Sequence, residues 1–414
     1  MALDWSATSA MLKERYNFDR ILKLGWRKYK FFMILRKDFG AGGDQEKIPV
    51  DVASVQARSA TFSTAQSLAA SLSGTRRAFE VTCQENYSLA RVTGKMIAAT
   101  RNNEVAFLKA LEGEIDGAYD SILKDTERDL FRDGHGLLAQ VASVSTTTLT
   151  LANAADAHLF EVGMEVVATT GSGANPRSGS ATITAIDRDA GTLESDSNWT
   201  SQITGLTAND YLAPQGDFTA ANDRKKIYGL EAWCPATAPS AGDSFFGVDR
   251  SVDVQRLAGT RYDATTNNEN LDEALINAQS EGAMNGALPR ICFMSNVNYR
   301  KLVNLLGSKK EYGLVPAQGR EGPLADIGFK SVKVYGDEGE IDVLSHPYCP
   351  IDVAWMFDPD ALVFMGMGEY PAIIDDDGQR VLRVYNDNSV EARIGGYPQL
   401  ATQNPASIVR IKLA

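Results

Sequence analysis

The stretch Leu108-Lys109-Ala110-Leu111-Glu112-Gly113-Glu114-Ile115-Asp116-Gly117-Ala118-Tyr119-Asp120-Ser121-Ile122, continuing to Leu130, decides how this chain is read. Leu108, Leu111, Ile115, Tyr119, Ile122 and Leu130 fall at three- and four-residue steps with one turn skipped, so they share one face of an α-helix. Asn103 stands where an N-cap belongs, and Gly134 and Gly136 stop the run. The spacing predicts a helix over residues 103–131, about 40 Å long at about 1.5 Å per residue. Gly113 and Gly117 lie inside it, each costing about 1 kcal/mol relative to Ala. They fit either close packing against a sheet or a built-in bending point.

The residues before this helix, 41–100, are poor in bulky apolar side chains. Lys47–Val52 and Phe79–Cys83 alternate as strands do, and Tyr87–Val92 extends the second. Between them Ala60–Ser71 is small and polar, with Phe62 and Leu68 its only large apolar side chains. Such a segment cannot bury enough surface to fold alone, so it predicts a long projecting hairpin that needs a partner to lie on. The first 40 residues carry nine basic side chains against four acidic ones, a net of +5 on a chain whose formal net charge is −12. An arm of this kind, with Arg27, Lys28 and Lys30 in its aromatic Trp26–Phe32 tract, suits docking onto an acidic neighbouring copy. A solvated amphipathic helix packed on its own domain fits equally, and nucleic-acid contact is a third option.

Beyond the helix the composition shifts. No lysine occurs between Lys124 and Lys225, and Thr, Ser, Gly and Val dominate residues 137–215. Val141–Val144, Leu149–Leu151, Met164–Ala168 and Thr182–Ile186 read as short strands, with a hairpin turn at Asp187–Gly191. This is a small all-β module that looks inserted. The remainder mixes helices (Leu271–Met284, Asn296–Leu306) with strands, among them Arg290–Met294, Phe329–Tyr335, Ile341–Leu344, Val353–Phe357, Leu362–Met365, Val381–Tyr385, Ser389–Gly395 and Ile408–Leu413. That order predicts an α+β fold.

Composition narrows the function. With 414 residues, 44% hydrophobic and 23% charged, the chain is long enough for two or three domains with real cores. The negative balance argues against a general nucleic-acid binder, because phosphate contacts demand a cationic face. No apolar run approaches the ~18–20 residues of a membrane span, and the opening residues do not read as a signal peptide, so the expectation is cytoplasmic synthesis without export. Cys83, Cys234, Cys292 and Cys349 form no Cys-x-x-Cys pair and read as buried thiols. His135, His158 and His346 lack a second ligand at metal-binding spacing, and no nucleophile elbow or phosphate-binding loop occurs. Asp375-Asp376-Asp377-Gly378 reads as a turn, or as an acidic patch for a neighbour's arginines, since the oxygens of a calcium loop do not follow it. These observations predict no catalytic residues, no cofactor and no metal, and hence not an enzyme.

The order of parts carries a resemblance. A Trp26-Arg27-Lys28-Tyr29-Lys30-Phe31-Phe32 tract leads through Gly40-Ala41-Gly42-Gly43 to a strand with Ile48-Pro49-Val50. The hairpin, the long helix ending Leu130-Phe131-Arg132-Asp133-Gly134, and Ile227-Tyr228-Gly229-Leu230-Glu231-Ala232-Trp233 follow. Asp342-Val343-Leu344-Ser345-His346-Pro347 and Gly395-Gly396-Tyr397-Pro398-Gln399-Leu400 come last. The chain resembles tailed-bacteriophage major capsid proteins of the Hong Kong 97 fold.

The resemblance implies an N-terminal arm over 1–40, an extended E-loop over 41–100, and a peripheral domain with its spine helix over 101–136. It further implies an inserted β domain over 137–215, a peripheral or linker stretch over 216–249, an axial domain over 250–350 and returning peripheral strands over 351–414. Arg27, Lys28, Lys30, Phe62 and Leu68 then become inter-subunit contacts, and Gly113 and Gly117 a spine-helix hinge. The function implied is self-assembly into hexamers and pentamers of an icosahedral virion shell that encloses double-stranded DNA without binding it specifically. A separate scaffolding protein and a portal are implied, a decoration protein is allowed for, and no membrane is involved. An encapsulin-like shell around cargo enzymes is the alternative.

Overall fold

A computed structural model describes residues 29–413 apart from 44, 54, 72–74, 96–103, 172, 223, 307–310, 317–327, 376–377 and 379. Arg27, Lys28 and the expected cap Asn103 lie outside the described residues. The chain is an α+β protein of two compact units, one holding residues up to 130 and from 233 onward, the other residues 131–232.

The first unit opens with a five-residue helix, α1 (Lys30–Ile34), and β1 (Arg36–Asp38). Six apolar residues, Tyr29 and Phe31 to Leu35, separated only by the polar Lys30, are buried in the chain's own core. Phe31 meets Phe293 and Phe357 at 5.2 Å, and Phe32 stands edge-on to Phe364 at 5.0 Å. Of the three readings of the basic arm, packing on its own domain is the one that residues 29–38 show. The physical reason is the density of aromatic side chains, which outweighs the charge of Lys30.

β2 (Gln45–Ala53) and β3 (Thr75–Thr82) form a two-stranded antiparallel ladder, with α2 (Phe62–Ser71) in the excursion between them. β4 (Asn86–Thr93) does not extend β3. It pairs instead with a strand near the C-terminus, as described below, and the long helix α3 (Glu104–Asp129) packs on that pair. Ile115, Tyr119, Ile122 and Leu123 of α3 are buried, as the periodicity requires. Thr126 of α3 and Asn86 of β4 both hydrogen-bond the Tyr370 hydroxyl, at 2.6 and 2.9 Å, which pins the C-terminal half of the helix to the sheet.

The second unit holds β5 (Ala139–Ser145), β6 (Thr148–Leu151), β7 (Glu165–Thr170), β8 (Asn175–Pro176), β9 (Ala181–Asp187), β10 (Thr192–Ser195) and β11 (Tyr211–Pro214). The antiparallel pairings run β5–β6–β10–β9–β7–β11 and back to β5, so six strands close into a barrel, with β8 added to β7. Alternation puts Val141, Leu149, Leu151, Val166, Ile183, Leu193 and Leu212 inside. Trp199 fills the interior and donates its indole N–H to Thr147 O at 2.9 Å. The β9–β10 turn needs Gly191, at φ +68°, because a side chain there would strike Ala154.

After two short strands, β12 (Ser244–Phe245) and β13 (Val248–Asp249), the first unit builds a seven-stranded sheet. Its strands are β14 (Thr260–Asp263), β15 (Ile291–Ser295), β16 (Glu311–Pro316), β17 (Gly328–Gly336), β18 (Gly339–His346), β19 (Val353–Phe357) and β25 (Ile408–Lys412). They lie in the order β14-β25-β19-β15-β18-β17-β16. α4 (Leu271–Met284) and α5 (Asn296–Leu306) pack on it through Leu275, Ala278 and Leu302 against Cys292, Met294, Val343 and Ile411. Phe293 and Phe357 of this sheet are the residues that Phe31 meets, and all five residues of β15 are buried.

β20 (Leu362–Gly366) joins β1 and β24 (Pro398–Thr402) in a three-stranded sheet. β23 (Ser389–Gly396) takes β21 (Ala372–Ile373) and β22 (Leu382–Arg383) on one side and β4 on the other.

Candidate assembly surfaces

The base of the β2–β3 ladder is well seated. Ile48, Val50 and Val52 on one strand and Phe79 and Val81 on the other face inward, and Phe79 packs edge-on to Trp233 at 5.2 Å. Glu80 N donates to Phe246 O at 2.9 Å, and Arg256 donates to Val52 O at 3.2 Å. The far end is different. Beyond Ala53 and Thr75, Val55 is exposed and Phe62 is 84% exposed, while α2 carries no charged residue. Leu68 is half-buried. The segment between the strands is thus partly helical, because its Ala, Gln and Leu residues favour helix even without a core to face.

A second open surface, not foreseen from the sequence, lies on β4. Ala90 and Val92 point to the core, whereas Tyr87 and Leu89 alternate outward, and the Tyr87 and Tyr397 hydroxyls meet at 3.1 Å. Arg91 and Thr93 share the outward side with Tyr87 and Leu89, so alternation alone does not mark that side as an apolar face.

Gly113 and Gly117 are exposed on α3, and an added Cβ at either would meet no atom within 4 Å. Close packing therefore does not explain them. Their effect is on the backbone, where glycine lowers helix propensity without buying a contact.

Lys30 is engaged inside its own chain. Its ammonium donates to Ser345 O at 2.9 Å, and burial pulls its pKa down against the opposing attraction of Glu127. Glu127, fully buried in the last turn of α3, is the centre of this region. It accepts N–H bonds from Phe31 at 2.7 Å and Phe32 at 2.8 Å, satisfying donors that the first turn of α1 leaves open. Tyr348 N donates to His346 Nδ1 at 3.2 Å, so the ring proton stands on Nε2 and is given to Glu127 at 2.7 Å. One carboxylate thereby ties the N-terminal tract, the long helix and the end of β18 together.

The remaining histidines are held locally: His135 by Asp133 at 2.7 Å, His158 by Ala155 O. Hydrogen bonds and the charge of His135, opposed by burial, hold the Asp133 carboxyl below its ordinary range. Cys234, Cys292 and Cys349 are buried and Cys83 half-buried, and burial pushes the Cys234 thiol up to about 11. Asp375 pairs with Arg380 of its own chain at 3.3 Å, and Gly378 N closes the turn onto Asp375 O. Among the described residues no group of three His, Cys, Asp or Glu could hold a metal ion, and no helix is long and apolar enough to cross a membrane.

No family model and no curated protein sequence matches the chain. Solved structures do. The capsid asymmetric unit of cyanophage A-1(L) aligns over 93% of this chain and 92% of that one, with a TM-score of 0.52 at 13% identity. The chain therefore shares a capsid-type fold with that protein. Looser likenesses are to the capsid of an empty GTA particle (TM-score 0.45, 10% identity, 94% and 97% covered) and to the SrpI encapsulin of Synechococcus elongatus (0.42, 8%, 100% and 96%). At such identities the likeness speaks for the fold alone.

Proposed function

We propose that this chain is the major capsid protein of a tailed phage, with copies meeting as hexamers and pentamers of a closed shell around double-stranded DNA. The capsid-type fold over nine-tenths of the chain carries the reading. Phe62, 84% exposed at the end of a hairpin that cannot cover it, is what such a role requires, since the neighbouring copy supplies the missing core. On this reading β2, α2 and β3 are the E-loop and α3 is the spine helix. Residues 250–350 form the axial domain, Arg27 and Lys28 belong to an arm reaching a neighbour, and Gly113 and Gly117 let the spine bend. A scaffolding protein and a portal act alongside, and the role is structural, with no reaction catalysed. The acidic body, −12 in total, repels packaged DNA, so enclosure does the holding.

Electron microscopy of the protein expressed alone and with its neighbouring genes tests this. Closed shells, or hexamers and pentamers, are expected. A monomer in every preparation sinks the proposal, and cargo enzyme in place of DNA inside native particles would make the shell encapsulin-like.

A further inference from the structure

On the face of the seven-stranded sheet turned away from α4 and α5, the register lines up one row of side chains. It runs from Arg261 on β14 through Arg410 on β25 and Trp355 on β19 to Phe293 on β15. Their alternating neighbours Cys292, Ala354 and Val409 belong to the core beneath the helices, so the row lies on the other side. Phe31 closes it off at Phe293, 5.2 Å away.

The opposite end of the row is short of acceptors. Arg261 and Arg410 stand directly across from each other, and like charges so placed destabilise a sheet. Arg261 donates to a backbone carbonyl, Ala258 O, at 2.9 Å. The Arg410 guanidinium lies 5.9 Å from the Trp355 ring, and its buried Nε has no hydrogen-bond partner. Trp355 is 1% exposed and its indole N–H also lacks an acceptor, whereas Trp199 and Trp233 donate theirs to Thr147 O and Leu400 O. Two residues along the same strands the charges balance, since Lys412 lies beside Asp263 and pairs with it at 2.9 Å. Among the described residues no carboxylate forms an ion pair with Arg261 or Arg410, and the nearby Arg250 is taken by Asp243 at 3.1 Å. Burial raises the Cys234 thiol, and the charges of all three arginines pull against it, so they gather around one sulfur.

Buried donors without acceptors and cations without a counter-charge call for the same kind of group. We propose that Arg261, Arg410 and Trp355 form a binding site for an oxyanion, a phosphate or carboxylate group, seated across the β14–β25 pair. A guanidinium meets such a group with two parallel N–H bonds, and the ring beside Arg410 steadies its plane. Both arginines are half-buried, so neither is sealed from solvent. The site lies within one subunit and stands or falls apart from the shell reading.

Calorimetric titration of the full chain as free subunits with inorganic phosphate, against chloride at matched ionic strength, tests this. One phosphate per chain is expected, and Arg410→Gln should weaken it about tenfold or more, the worth of a charge-assisted hydrogen bond. Arg410→Lys keeps the charge but loses the fork, so it should fall between the two. Arg393→Gln, which gives up only a bond to Glu391, should bind as the unaltered chain does. Phosphate should also raise the thermal midpoint of the unaltered chain and not that of Arg410→Gln. Without phosphate, Arg410→Gln should unfold no earlier than the unaltered chain, because it relieves a like-charge pair. Binding that is absent, or indifferent to Arg410→Gln, overturns the site, as does a midpoint that Arg410→Gln lowers equally with and without phosphate. Repeating the titration on assembled copies identifies the source. Equal binding marks a soluble anion, and loss of phosphate binding on assembly marks a carboxylate supplied by a second copy.

Discussion

The barrel of residues 131–232 and the β2–β3 hairpin are both built from short antiparallel strands, yet they treat their exposed edges in opposite ways. The barrel pairs its strands into a ring and fills the interior with Trp199 and a set of branched side chains. Among the described residues each strand of the hairpin has only the other as its ladder partner, and the far end leaves Phe62 in solvent. A closed ring is complete in one copy. A two-stranded ribbon is marginal unless something covers it. One chain thus contains a region that folding finishes and, on the reading proposed here, a region that assembly finishes.

The sharpest way to break this comparison is to remove residues 55–73 and close the gap with a short Gly-Ser turn. The subunit should stay folded by circular dichroism, since the seated base of the ladder is untouched, but shell formation should be abolished. Intact shells would show that the hairpin tip plays no part in assembly. Replacing Phe62 alone by Ser should change stability by less than about 0.5 kcal/mol while lowering shell yield.

The converse test is Trp199→Ala. Emptying the barrel interior and losing the hydrogen bond to Thr147 should cost about 3–5 kcal/mol. Because the barrel is its own compact unit, calorimetry should show a separate early transition with the main one unmoved. A single cooperative transition shifted downward would mean that the barrel depends on the rest of the chain for its stability.

Where the first unit holds itself together, Glu127→Gln should cost about 3 kcal/mol, because an amide cannot accept all three N–H groups now aimed at the carboxylate. Thermal unfolding with hydrogen exchange at Phe31 and Phe32 checks this. A loss below about 0.5 kcal/mol would remove Glu127 from its central place.

How much of this was open to sequence reading follows from how local each feature is. The helix expected over 103–131 is observed over Glu104–Asp129, and Leu271–Met284 and Asn296–Leu306 are found as helices with those bounds. Periodicity and caps lie within a few residues of each other, so they can be read directly. Partner choice is not local. Tyr87–Val92 looks like a continuation of Phe79–Cys83, but it pairs with Ser389–Gly396, and no residue near it encodes that. Barrel closure depends on Tyr211–Pro214, four residues too few for alternation to stand out. The tie between Glu127 and His346 spans 219 positions, so His346 reads only as a structural histidine. Lys30 illustrates the same limit: its charge is visible, but its burial beside Ser345 is set by strands far along the chain.

The smallest expected effect concerns the helix that links the two kinds of region. With no atom within 4 Å of an added Cβ at Gly113 or Gly117, alanine fits both positions without a clash. The double variant Gly113→Ala, Gly117→Ala should therefore stiffen α3 and raise stability by up to about 1 kcal/mol per site, through helix propensity alone. If these glycines are a bending point of a shell subunit, assembly should proceed and any later expansion of the shell should slow, as followed by scattering over time. Unchanged expansion alongside the gain in stability would reduce both glycines to ordinary weak points on an exposed helix face. A loss of stability would contradict the open surroundings from which the prediction starts.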